Sequence, residues 1–422
     1  MRPRVNTGAC HRVPLVTSAF TRRGNAAFPT KGFIVINKIF VVLTLAAGVV
    51  GQSYASSTNQ PVDADVRIFV KAAAAEALAQ DNPQQGPARN FDVQKLAEGV
   101  YAVIRKDLPG LMVDANNVFI INDDDVIVVD ANGAPAITRE VLAALRKLTN
   151  KPVKYVINTH WHDDHIIGDP VYREAFPAVE FIAHANTRSY LPSQGAINRK
   201  NFLTGAPGAL DMLKSLLTKN KSLTGGDLTT EERDSYTSDI RLVELVLAEA
   251  PGTQLTLPTI TFEDRLTLYR GSRVIEILHL GNGHTSGDIV VHLPKEGIAI
   301  TGDLVVWPVP LVGSEQSHIG DWSLTLEKVR ALRPTTIVPG HGPVMHDDSY
   351  IKMMGSLFKS VKQQTDAAVA RGETLEQMRK SVKLDDFRKQ FAGDSAVRKV
   401  LFDNYVTGPA IAAAFREASV KR

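Results

Sequence analysis

The sequence predicts a layered α/β protein, on three observations. Short β-type runs recur from residue 93 onward, at 100–104, 118–121, 126–129 and 153–158, and again at 274–280, 297–300 and 335–338. A helical stretch at 134–148 interrupts them, with Val141, Leu145 and Leu148 spaced to share one face. Several of the runs end in Gly beside His or Asp, as strands do when they deliver side chains to a functional loop. Strands alternating with helices in this way build sheets covered by helices. With 422 residues, 44% hydrophobic and 22% charged, the chain has material for one large globular domain plus additions.

Residues 1–55 read as a leader. Lys31 and Lys38 precede an apolar run at 39–50, and Ser53-Tyr54-Ala55 supplies a small-x-small motif. Cleavage after Ala55 is expected, giving an exported chain, periplasmic or secreted. The apolar run is shorter than the roughly 20 residues of a membrane span, so no stable span is expected after cleavage. An uncleaved anchor is the competing reading. Arg22-Arg23 makes only a weak twin-arginine signal, because it lies well upstream of the run. The leader holds seven Lys or Arg and no Asp or Glu, so its loss turns the formal net charge of +3 into −4. A mildly acidic chain lacks the basic footprint of a nucleic-acid binder, and a small-molecule substrate is the expected partner. The sole cysteine, Cys10, leaves with the leader, and with it any disulfide, thiolate ligand or cysteine nucleophile.

Residues 56–90 are polar and Pro/Gln-rich, with an Ala-rich stretch at 66–80 that favours helix. The strand at 153–158 then runs into Thr159-His160-Trp161-His162-Asp163-Asp164-His165, with three imidazoles and two carboxylates in six residues. Imidazole and carboxylate hold zinc at neutral pH, and a turn lets several converge on one point. In extended backbone His160 and His162 emerge on the same side and can share an ion. Asp164 and His165, where the chain turns, can face a second ion. The plain alternatives are a surface turn or a single structural site.

A long excursion of more than about a hundred residues follows, more than neighbouring elements usually need. Leu210, Leu213 and Leu217 share a helical face, and Thr229-Thr230-Glu231-Glu232 has the form of a capping box opening a helix toward Ala250. This insertion is read as either a substrate wall or lid, or a peripheral buttress. Further ligand types then appear at strand ends, in Gly283-His284-Thr285-Ser286-Gly287-Asp288, Thr301-Gly302-Asp303 and Pro339-Gly340-His341-Gly342. The end of the chain reads as helical from 350 to 414, with breaks at Gly372 and Gly393.

On these motifs, in this order, the chain resembles the metallo-β-lactamase-fold superfamily of zinc hydrolases, over roughly residues 91–345. The resemblance implies a four-layer αββα sandwich at 91–345 as the catalytic domain, a helical insertion at about 190–255 and a C-terminal helical extension at 346–422. It implies His160, His162 and His284 as ligands of a first metal, Asp164, His165 and His341 as ligands of a second, and Asp303 as a carboxylate bridging them. Gly168 fits the same pattern, and Asp130 matches the acidic strand end that supports the ligands from behind. Antibiotic-hydrolysing members usually carry Cys or Ser at the place of Asp303 and many have a Lys at the place of Val306. Asp303 instead resembles the glyoxalase-like, lactonase-like and phosphodiesterase-like branches.

The expected cofactor is a pair of zinc ions, although this donor set also accepts manganese or iron. Two ions about 3.5 to 4 Å apart lower the pKa of a shared water toward roughly 7, and the hydroxide attacks an ester, thioester, lactone or lactam. Asp164 is the expected catalytic residue, holding the hydroxide and passing a proton to the leaving group. The alternatives are a true β-lactamase, which export would suit, and a non-hydrolytic metal-binding or redox member of the fold. Among the other histidines, His184 reads as structural and His279 and His292 as strand residues. His318, Trp307 and Trp161 are candidates to line the pocket.

Overall fold

The computed structural model describes residues 90–313 and 317–420. The expected leader with Cys10 and its cleavage site, and the helix at 66–80, lie outside the described residues.

Two mixed sheets stack face to face. The first has seven strands in sequence order, β1 (Phe91–Ala97), β2 (Val100–Arg105), β3 (Asn117–Ile121), β4 (Val126–Val129), β5 (Val153–Ile157), β6 (Glu180–His184) and β7 (Ile260–Phe262). β1 to β4 form an antiparallel meander, while β4 to β7 run parallel. Parallel neighbours require crossovers, and helices supply them. These are α1 (Pro135–Leu148), then α2 (Asp163–Ile166) with α3 (Asp169–Ala175), then α4 (Ala185–Tyr190), α5 (Ala196–Lys219) and α6 (Thr230–Glu249). The second sheet has the order β12-β11-β10-β9-β8. Its strands β8 (Arg265–Arg270), β9 (Arg273–Leu278), β10 (Val290–Leu293) and β11 (Ile298–Val306) are antiparallel. α7 (Ile319–Ala331) carries the chain back so that β12 (Thr336–His341) pairs parallel to β11.

Side-chain alternation along the strands creates separate cores. Ala102, Val118, Ile120 and Ile127 point between the sheets and meet Ile275, Ile277, Val291 and Ile300. Their neighbours Val103, Phe119 and Val128 face outward onto Val141 and Leu145 of α1 and Tyr172 of α3. The far side of the second sheet is covered by Trp322 and Leu326 of α7 and by the C-terminal helices. These are α8 (Ser349–Ala370), α9 (Leu375–Ser381), α10 (Asp385–Ala392), α11 (Ala396–Phe402) and α12 (Gly408–Val420). The layers are therefore helix, sheet, sheet, helix.

The excursion between β6 and β7 turns helical directly at the end of β6. The His184 ring at the end of β6 accepts the Asn186 N–H at 3.1 Å and caps α4, which continues through a π-helical turn (Leu191–Gly195) into α5. α5 also starts well before the apolar run at 209–217, because Gly205, Pro207 and Gly208 lie inside it. Thr229 and Glu232 form the reciprocal capping box that opens α6. Among the described residues, no helix is long and apolar enough to cross a membrane.

Candidate metal centre

The seven expected ligand residues come from strand ends and loops at one edge of the stacked sheets. His160 and His162 follow β5, Asp164 and His165 lie on the short α2, His284 is on the loop after β9, Asp303 is within β11 and His341 ends β12. Close backbone approach makes this convergence possible. A Cβ on Gly340 would lie 2.0 Å from Asp303 Oδ1, and Gly302, at φ +49°, passes so near Thr159 that a Cβ would meet its Oγ1 at 2.4 Å. Any side chain at either position would push the ligands apart.

The ligand atoms fall into two sets, the atoms of each within 4.8 Å of one another: His160, His162, His284 and Asp303, and Asp164, His165 and His341. Asp303 faces both. Its Oδ2 lies 3.5 Å from His284 Nε2 and 3.9 Å from His160 Nε2, and its Oδ1 lies 3.2 Å from both His165 Nε2 and His341 Nε2. Asp164 Oδ2 is 3.2 Å from His341 Nε2 and 3.5 Å from His165 Nε2. His284 Nε2 and His162 Nδ1 approach to 2.7 Å.

Buried polar groups are normally hydrogen-bonded. Here His160 Nε2, Asp164 Oδ2 and both oxygens of Asp303 are buried without a hydrogen bond of acceptable geometry. These are the atoms that point at the two centres, so the donor set fits a pair of cations. The opposite ring nitrogens are held from behind. His165 Nδ1 bonds Asp130 Oδ2 at 2.8 Å, His284 Nδ1 bonds the Leu311 carbonyl at 2.8 Å and His341 Nδ1 bonds the Asp114 carbonyl at 3.0 Å. Such contacts fix the tautomer and aim the free nitrogen. Asp288, pushed up to about 7 by burial, ties the His284 loop by accepting from Thr285 N at 2.8 Å and Thr285 Oγ1 at 2.6 Å.

The electrostatics differ between the sets. Burial, with His284 beside it, pushes His162 down to about 3, and burial also lowers His160 and His284. Those rings stay neutral, the form that binds metal. Burial acts in the same direction on His165 and His341, but carboxylates outweigh it. Asp164 and Asp303 raise His165 well above its usual value, and Asp303 and Asp164 push His341 up to about 10. Burial would raise Asp164 and Asp303, yet the same two rings hold both carboxyls below the usual range. The carboxylates of Asp164 and Asp303 thus favour positive charge at the second set, which suits a cation there.

A family profile described as the metallo-beta-lactamase superfamily matches residues 111–341, more than half of the chain and every residue of both sets. The chain belongs to the metallo-beta-lactamase superfamily. It is similar to a curated protein named linear primary-alkylsulfatase, from a Pseudomonas species, with 24% identity over 271 residues, 62% of this chain and 48% of the relative. It is also similar to a metallo-beta-lactamase type 2 of Bacteroides fragilis, with 32% identity over 127 residues, 28% of this chain and 48% of the relative. The chain spans about half the length of these curated relatives. Among solved structures, a metallo-beta-lactamase from Pontibacter korlensis aligns with TM-score 0.43 and 19% identity, over 64% of this chain and 99% of that one.

In this superfamily member a cavity of about 210 Å³ opens beside His162, Asp163 and Asp164. One wall is Leu111 and Met112 after β2 with Ile137 of α1, and a second is Leu311 and Val312. The insertion supplies a third, through Phe202 and Leu203 of α5 and Leu242 and Val246 of α6, so it is a wall of the site. Arg199 of α5 clamps Asp163, with Nη2 to Oδ1 at 2.8 Å and Nε to Oδ2 at 3.0 Å. The sequence offered no signal for Arg199, Asn404 or Tyr405, which reach the cavity only through the fold.

Trp161 lines the cavity as expected and braces His162, their rings 4.3 Å apart. Trp307 and His318 do not. Trp307 is covered by Arg398, whose guanidinium carbon is 4.8 Å from the ring, and His318 stands at the start of α7. His184 caps α4, His279 Nδ1 bonds the Asp288 carbonyl at 2.9 Å and His292 Nδ1 bonds Glu276 at 2.9 Å.

Proposed function

We propose that this chain is a dinuclear zinc-dependent hydrolase of an ester-type bond, an ester, thioester or lactone, and that it acts after export. The observation that carries the reading is Asp303, which turns one carboxylate oxygen to each ligand set. His160, His162 and His284 would hold one ion, Asp164, His165 and His341 the other, with Asp303 shared. Bound there, the pair would supply a Lewis acid and a water of lowered pKa.

The chain's own residues do the rest. Asp164, whose Oδ2 is turned to the second set and whose side chain lines the cavity, would have its other carboxylate oxygen left to take a proton near the scissile bond and release it to the leaving group. The apolar walls keep bulk water away and strengthen the interactions inside. No serine or cysteine nucleophile is needed.

A second reading, lactam hydrolysis, is supported by the similarity to the Bacteroides fragilis protein. Against it stands Val306, buried in β11 where many antibiotic-hydrolysing members carry a lysine. Elemental analysis with a substrate panel separates these. The panel holds an aryl ester, a thioester, a lactone, a chromogenic cephalosporin and, because of the Pseudomonas relative, a primary alkyl sulfate. The expected result is two zinc per chain and ester-type turnover that a chelator abolishes and zinc restores. Fully loaded protein that turns over nothing on the panel would refute hydrolysis, and selective cephalosporin turnover would install the second reading.

A further inference from the structure

The cavity beside the metal centre has apolar walls, and the charges that line it are already matched. Arg199 spends Nε and Nη2 on the Asp163 carboxylate. His162 and Asp164 belong to the ligand sets. Asp114 points away, 3.3 Å from Arg105 Nε and accepting the Gly133 N–H at 2.8 Å. Two of the neutral polar side chains are engaged too. Tyr405 donates to the Leu111 carbonyl at 2.7 Å, and Asn198 Oδ1 accepts from Gln194 at 2.8 Å. A substrate bearing a second charge, away from the bond to be cleaved, would bring that charge among hydrocarbon side chains with, among the described residues, no lining cation uncommitted to a partner.

We propose, resting on the hydrolase reading, that the non-reacting part of the substrate is an uncharged alkyl or acyl chain. It packs between Phe202 and Leu203 of α5 and Leu242 and Val246 of α6. The insertion therefore sets selectivity by hydrocarbon contact. Each methylene taken out of water strengthens binding by about fourfold.

Two series test this on the full zinc-loaded protein. In the first, calorimetric binding of primary n-alkanols from butanol to decanol requires no turnover. Affinity should rise about fourfold per methylene until the cavity is filled. Phe202→Asn should flatten the series, and Ile197→Asn, on the exposed part of the same helix, should leave it unchanged. In the second, kcat/KM for aryl esters of increasing acyl length should climb in parallel. An ester of equal length ending in a carboxylate should be about a hundredfold poorer.

Affinity independent of alkanol length, or equal use of the carboxylate-terminated ester, would overturn the proposal. Length-dependent alkanol binding without hydrolysis of any ester would leave the occupant standing and remove the hydrolase reading. Ester hydrolysis without length-dependent binding would do the reverse.

Discussion

Asp130 shows how one side chain can organise a metal loop without facing the metal. It follows β4 with φ 59°, a left-handed conformation that Asp tolerates, and it spends both carboxylate oxygens on the next strand's loop. Oδ1 accepts the Thr159 N–H at 2.7 Å, while Oδ2 takes Thr159 Oγ1 and His165 Nδ1, each at 2.8 Å. Asp130→Ala should therefore weaken zinc binding about 10- to 100-fold with the fold intact. Competition with a chromophoric chelator reads the affinity and circular dichroism the fold; unchanged affinity would remove the role. Asp303→Ala should cost more, because each of its oxygens serves a different set. We expect zinc content to fall from two per chain to one or less by elemental analysis, and two retained ions would sink the shared-carboxylate assignment. The seven residues that the fold brings together were legible in the sequence because four fall in the dense run 160–165 directly after a strand, while His284, Asp303 and His341 each sit beside a glycine. The cavity was not, since Arg199, Leu242 and Tyr405 come from elements whose docking no local pattern encodes.

At the scale of elements, α6 joins the insertion to the site. Buried Asp239 on α6 accepts the backbone N–H groups of Leu111 and Met112, both at 3.0 Å, and so fixes one wall of the cavity. Burial pushes its carboxyl up to about 7, despite those two donors. A folded pKa above the unfolded value of about 3.9 means the folded chain binds the extra proton between the two, so this residue's contribution declines as pH rises from about 4 to 7. Relative to Asp239→Asn, the natural chain should lose stability across that window and run parallel to it above. Urea unfolding at stepped pH measures this, and parallel curves throughout would contradict it. At the start of the same helix, Thr229→Ala removes the side chain that receives the Glu232 N–H and should cost about 1 kcal/mol of unfolding free energy, with zinc content unchanged. The capping box was readable because its signal is local. The first half of α5 was not, since Gly205, Pro207 and Gly208 argue against helix on propensity alone. Burial of Ala206, Ala209 and Leu213 overrides that preference.

At the scale of the whole molecule, both ends of the chain carry predictions. The leader reading requires the exported protein to begin at Ser56, which intact mass and N-terminal sequencing of the secreted or periplasmic form decide; a full-length, membrane-retained product would favour the anchor. The other end is part of the fold's own core. Phe358 of α8 stacks on Trp322 of α7 at 4.5 Å, and Ile351, Met354, Leu357 and Phe358 are at most 1% exposed. Beyond them the Val312 N–H, on a cavity wall, donates to the Tyr405 carbonyl at 3.0 Å. Each large apolar side chain buried in this way contributes about 1.5–3 kcal/mol, so four of them rival the roughly 5–15 kcal/mol that holds a typical domain together. Ending the chain before Asp348 should therefore yield aggregated protein, even though every residue of both ligand sets is retained. A truncated chain that stays soluble, melts cooperatively and binds two zinc ions would show instead that the sandwich stands without its C-terminal helices.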